Sequence, residues 1–276
     1  MTIKSFARMA GTAGLALAAM AGAALADGYE GGSTKDAAAD EGRKLTWSIT
    51  LGATSDYMFR GLSLNDEDPA AQGSFDIGYG IFYAGVWASN LPAEGVLGPA
   101  EIDVYAGIKP VVGPVTFDLG IIGYFYPGDK VNDPAFGVIG DDEYFELKAG
   151  ASITPFTNAG LGVTAYYSPD TQLSDSAETL AIEGTASYTT RQVGIFVPTL
   201  SGTFGWQYVE DAGFSGVNDD DYLYWNLGVA LAVDKFTIDL RYWDTDFGDD
   251  DAFDGQYLSP GLADERFVAS VKVTLP

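Results

Sequence analysis

From Leu45 the chain alternates apolar and polar residues for sixteen positions, and few folds can use such a run. The odd positions read Leu45, Trp47, Ile49, Leu51, Ala53, Ser55, Tyr57 and Phe59. The even positions read Thr46, Ser48, Thr50, Gly52, Thr54, Asp56, Met58 and Arg60. A period of two puts successive side chains on opposite faces of a strand. Strands in soluble domains are usually about five or six residues long, so this length suits a tilted crossing of a bilayer. Trp47 and Tyr57 share one face ten residues apart. That is roughly 33 Å along a strand and about 25 Å across a membrane at a tilt of about 40°. Trp47 is therefore expected in one aromatic girdle, and Tyr57 with Phe59 in the other.

The same rhythm recurs to the end of the chain and predicts twelve strands, with apolar faces such as Phe75, Ile77, Tyr79 and Leu223, Trp225, Leu227. The third strand, 81–90, has an undecided phase, because Phe82/Val86 and Tyr83/Trp87 are both apolar. Connections at 78–80, 109–114, 154–159 and 234–235 are short and rich in Gly, Pro, Asn and Asp, as hairpins require. Those at 60–70, 89–100, 126–142, 168–177, 210–221 and 244–265 are longer, and the turn at 190–199 is the one that exceeds the short class. Short turns on one rim, long loops on the other and an even strand count describe an all-β, transmembrane, antiparallel up-and-down β-barrel of about 12 strands over residues 45–276. Alternation by itself would also fit a soluble sandwich with one wet face; strand length and loop asymmetry favour the barrel.

Residues 1–26 begin with Lys4 and Arg8, continue in an alanine-rich apolar run and end Ala24-Leu25-Ala26, the pattern of a cleaved secretory signal peptide. Residues 27–44 are polar and aperiodic and are expected to be a disordered acidic leader. Export and a barrel together predict the outer membrane of a Gram-negative bacterium, with membrane lipid and the barrel assembly machinery as partners; the oligomeric state stays open. The segment after the signal carries 12 Lys and Arg against 39 Asp and Glu, a net charge of 12 − 39 = −27. So negative a surface repels nucleic acid, which is excluded as a partner. The chain has no Cys and no His. Ser-His and Cys-His catalysis, zinc sites and most haem ligation are closed to it. Carboxylate-pair chemistry remains open, but among 39 acids any two can be called a pair, and the chain is read as a non-enzyme with no cofactor.

If the apolar faces meet lipid, the opposite faces line the lumen. Pore-lining candidates are Asp56, Arg60, Asp76, Asp103, Asp118, Glu146, Lys148, Glu183, Asp239 and Arg241. Gly52, Gly78, Gly107, Gly120, Gly150, Gly162, Gly205 and Gly228 share that side, where they would let the strands bend into a narrow cylinder. By spacing, Arg60 is too far from Asp56 to pair with it, which leaves Asp76 or the 66–68 acidic cluster as its expected partner. The six long loops hold 23 acids against Arg60 and Lys130, so negative charge gathers on one rim. Within the last loop, Asp244, Asp246, Asp249 and Asp251 have carboxylates spaced for calcium, without the full EF-hand pattern.

The segment GATSDYMFRGLSLNDEDPAAQGSFDIGYG, with FYAGVWASN, EIDVYAG, TFDLGIIGYFYPG and YFELKAG after it, resembles the TorF-type porins of proteobacteria, most densely over residues 45–150. The resemblance implies an outer-membrane barrel engaged in passive transport and supplies no catalytic residue. The chain departs from such barrels in ending Val273-Thr274-Leu275-Pro276 rather than on an aromatic residue. The functional expectation is a porin-like channel for small hydrophilic solutes that prefers cations. The alternative is a non-conducting structural or adhesive barrel.

Overall fold

The computed structural model describes residues 44–93, 97–128, 143–171, 177–210, 221–247 and 261–276. The expected signal peptide, the expected leader up to residue 43, Lys130, Asp249 and Asp251 lie outside the described residues. Twelve long strands follow one another: β1 (Leu45–Thr54), β2 (Ala70–Tyr79), β3 (Phe82–Asn90), β4 (Ala100–Ile108), β5 (Val115–Phe125) and β6 (Tyr144–Ile153). They continue with β7 (Ala159–Thr171), β8 (Ala177–Thr189), β9 (Val197–Val209), β10 (Asp221–Val233), β11 (Phe236–Thr245) and β12 (Arg266–Leu275). Each pairs antiparallel with its neighbours in sequence, and β1 pairs with both β2 and β12. The β1–β12 seam runs from Ile49↔Leu275 to Thr54↔Ser270 and closes the cylinder. Closure pairs the two edge strands, whose backbone donors and acceptors hydrocarbon could not satisfy.

The alternation sorts side chains across the wall as expected. Outward residues are open, as Leu51 and Leu227 are at 55% and 66% exposure, whereas the inward Asp103 and Arg241 are 0% and 2% exposed. The phase of β3 is settled by contact: Phe82 and Val86 face out, and Tyr83 and Trp87 face in. Both described chain ends and the connections at 80–81, 109–114, 154–158, 190–196 and 234–235 lie on one rim. The 190–196 turn is longer because Val193 and Phe196 form their own bridge around Gly194.

The first strand is shorter than its alternation predicts. It ends at Thr54, after which the chain leaves the wall and turns into the barrel. Tyr57 is fully buried there and Phe59 packs against the same inner cluster of Trp87, Tyr124 and Tyr166, so neither belongs to a girdle. Trp47, half exposed, does face outward, near the rim that carries Tyr79, Phe82 and Phe236. Towards the opposite rim the outward aromatics are Phe125, Phe145, Tyr167, Trp206 and the Tyr242–Phe267 pair, whose ring centroids are 5.2 Å apart. The alternation ran on past Thr54 because lumen-packing side chains are as apolar as lipid-facing ones.

Candidate functional site

The lumen is crossed by the segment that follows β1. Met58–Phe59 and Leu62–Ser63 pair as a short hairpin whose two tip residues, Arg60 and Gly61, have φ of 49° and 85°. Two positive φ values in succession make a type I′ tip, whose twist matches that of the flanking strands. A side chain at Gly61 has no room: a Cβ there would lie 2.6 Å from Thr245 Cγ2 and 2.8 Å from Tyr224 Cβ. The tip is thus pressed against β10 and β11, on the far side of the barrel from its neighbour Tyr57, which packs on Trp87 of β3 at 5.3 Å between centroids. Met58 meets Trp243 and Val268.

Two arginines hold the segment. Arg60 donates to Glu146 of β6 at 2.8 Å and to Gln207 of β9 at 3.0 Å, and its guanidinium lies over the rings of Phe59 and Tyr166. Its backbone carbonyl accepts from the Tyr222 hydroxyl. Burial opposes the charge on Arg60, but the Glu146 carboxylate outweighs it and holds the guanidinium pKa above its ordinary value. Asp76 and the 66–68 acids were the expected partners; instead, Asp76 accepts from Tyr105 and from Ser74. At the base, Arg266 of β12 bonds Asp56 at 2.9 Å and reaches Glu67 at 3.3 Å. Ser63 donates to Asp56 at 2.7 Å. Burial raises the Asp56 pKa above the ordinary carboxylate value, and the bonds from Ser63 and Arg266 only partly reverse this.

All ten predicted pore-lining residues have inward side chains, buried or nearly so, but they form several groups around the wall. Asp118 meets Lys148 at 3.1 Å, Lys109 at 3.8 Å and the Tyr83 hydroxyl at 2.7 Å. Glu183 accepts from Tyr224 at 2.7 Å, and Tyr124 donates to Glu146 at 3.0 Å. Arg241 binds Asp239, Asn226 and Ser201. Sequence reasoning passed over Glu101, although it shares the inward parity of Asp103 two residues later. It also passed over the luminal tyrosines, because parity was weighed for charge and not for aromatic bulk.

Several luminal glycines serve those tyrosines. Gly107 sits opposite Tyr83, Gly85 opposite Tyr105 and Gly205 opposite Tyr224 in register. In each pair the ring lies where the glycine's Cβ would stand; at Gly107 and Gly120 that Cβ would be 2.5 Å from the Tyr83 hydroxyl oxygen. These glycines seat rings that fill the lumen, a role beyond the bending expected of them. Of the calcium candidates, Asp244 accepts from Tyr242 and the backbone of Thr245, and Asp246 accepts from the backbone of Leu223. Asp249 and Asp251 lie outside the described residues, and no group of three or more acidic side chains placed to hold a metal occurs among the described residues.

The model of a family described as a bacterial protein of unknown function (Gcw_chp) matches residues 36–275. That span includes the stretch resembling TorF-type porins, though the description does not carry that name. None of the curated proteins matches the chain in sequence. Among solved structures, it is similar to the NanC porin at a TM-score of 0.51 and 10% identity, covering 84% of this chain and 100% of that one. It is also similar to the KdgM porin in complex with disordered oligogalacturonate, at a TM-score of 0.50 and 8% identity, covering 83% of this chain and 99% of that one. At such identities the likeness is one of fold: an outer-membrane-type β-barrel.

Proposed function

We propose that this chain, which belongs to the Gcw_chp family of bacterial proteins, is an outer-membrane channel for passive diffusion of small hydrophilic solutes, with a preference for cations. The observation that carries the reading is the hairpin across the lumen, anchored through Arg60 to Glu146, which narrows a twelve-strand cylinder. Twelve strands lie between side-chain-filled eight-stranded barrels and open porins, so one inward segment is enough to set the aperture. The preference follows from charge: among the described residues inward carboxylates outnumber inward cations, and a low-dielectric wall focuses their field on the path. The barrel works without catalysis. The test is a planar bilayer: purified protein should give discrete conductance steps and a reversal potential of cationic sign under a salt gradient. Verified insertion with no conductance would refute it.

A second reading, a non-conducting structural barrel, is favoured by one feature. At the level of the hairpin the lumen is packed, with Tyr57, Met58 and Tyr224 wholly buried and Arg60 tied across to Glu146. The two readings part on Arg60→Ala. A channel shows larger conductance when the hairpin loosens; a structural barrel shows a loss of stability and stays silent.

A further inference from the structure

Among the described residues, two luminal acids keep carboxylate oxygens without a hydrogen-bond partner. Glu101 and Asp103 stand on the inner face of β4, and neither Asp103 oxygen nor Oε2 of Glu101 meets a hydrogen-bond donor of good geometry. The other inward acids are matched: Asp56 by Arg266, Asp76 by Tyr105, Asp118 by Lys148, Glu146 by Arg60, Glu183 by Tyr224 and Asp239 by Arg241. A second observation comes from a different part of the chain. The Tyr57 hydroxyl, carried in by the hairpin and fully buried, faces the same two carboxylates and interacts with Glu101, as Tyr126 does, without closing a hydrogen bond of good geometry. Ionised carboxylates in such a place are strongly disfavoured unless something positive joins them.

The chemistry of the free atoms limits what that is. All are oxygens, two of the groups are carboxyls that become anionic on giving up their protons to a metal, and Arg60, the hairpin's own cation, is engaged by Glu146 and Gln207. Oxygen donors of this kind select hard cations, and two negative charges balance a divalent one. The burial of Glu101 and Asp103 favours a small ion over an organic cation, which would have to displace the hairpin. Trp87 lies opposite Asp103 in register, and its unpartnered indole N–H is placed to support a carboxylate from the second layer. We propose that Glu101, Asp103 and the Tyr57 hydroxyl form a luminal site for a small divalent cation of the calcium class, which ties the hairpin to β4. The site deepens the channel reading and depends on it only for an effect on flux.

Terbium(III) is the probe, because Trp87 and Tyr57 stand beside the site and can sensitise its luminescence. The full folded protein in detergent is titrated with terbium and then with calcium. The expected result is saturable sensitised emission that calcium displaces, lost when Glu101→Gln and Asp103→Asn are combined. Trp87→Phe should dim the emission while calorimetric calcium binding persists. If the double variant titrates as the parent does, the ion sits on the acidic loops and the proposal is overturned. If the double variant does not fold, Tyr57→Phe, which keeps the ring, decides: unchanged calcium affinity overturns the site. Calcium binding with a silent bilayer would remove the channel and leave the site; conductance without calcium-displaceable emission would do the reverse.

Discussion

Replacing Arg60 by alanine removes the guanidinium that spans from the hairpin to β6, and both residues tolerate the positive φ of the tip about equally poorly, so the backbone cost cancels. What remains is Glu146, 1% exposed, stripped of its cation. Breaking a buried pair by deleting one partner costs about 3–5 kcal/mol, mostly from the charge left behind. The lost contact with the rings of Phe59 and Tyr166 adds about 0.5–2 kcal/mol. Each 1.4 kcal/mol or so is a tenfold change in an equilibrium, so the docked state of the hairpin should lose at least about a hundredfold in population. Glu146→Gln in the same chain removes the stranded charge, so the double variant should recover about 1–3 kcal/mol of what Arg60→Ala lost. The assay is paired: thermal loss of the fast-migrating folded form on gels, and single-channel conductance. If Arg60→Ala melts as the parent and conducts as the parent, the hairpin is not held by this pair. If the double variant is worse than the sum of its parts, the stranded-charge argument fails.

Three further outcomes follow from the geometry. Gly205→Ala puts a methyl group into the ring of Tyr224 and should cost about 1–3 kcal/mol by overpacking, a cost that should largely vanish when the same change is made in a Tyr224→Ala background; equal melting of parent and Gly205→Ala would contradict the seat. In single-tryptophan variants reconstituted with brominated lipid, Trp47 should be quenched strongly and Trp243 scarcely, since they are 51% and 0% exposed; quenching of Trp243 would place the wrong face outward. Asp56 carries a pKa above its ordinary 3.8, so the folded state holds its proton longer than the unfolded one, and stability falls as pH rises from about that value through the raised folded one. Asp56→Asn should remove that part of the slope in melting midpoints collected across the acid range, and an unaltered slope would exclude Asp56 as its source.

The strand count, the rim that carries the short turns and the inward parity of the eight candidate residues that lie on strands were legible along the chain, because pleating is local and a residue's side follows from its position in the alternation. Glu101 was equally legible by that rule, since it stands two residues before Asp103 on the same face of β4. The two phases of β3 could not be separated, since a lumen filled with tyrosine and tryptophan is as apolar as a lipid face. For the same reason Tyr57, Phe59 and Arg60 read as the end of a strand. Where β1 stops is decided by what surrounds the next residues: Arg266 from the far end of the chain holds Asp56, Glu146 and Gln207 receive Arg60, and Thr245 and Tyr224 leave space at the tip for glycine alone. Those partners are brought together only when β12 closes on β1. A period of two fixes which strand residues face the lumen; the closed cylinder alone determines which of them meet across it.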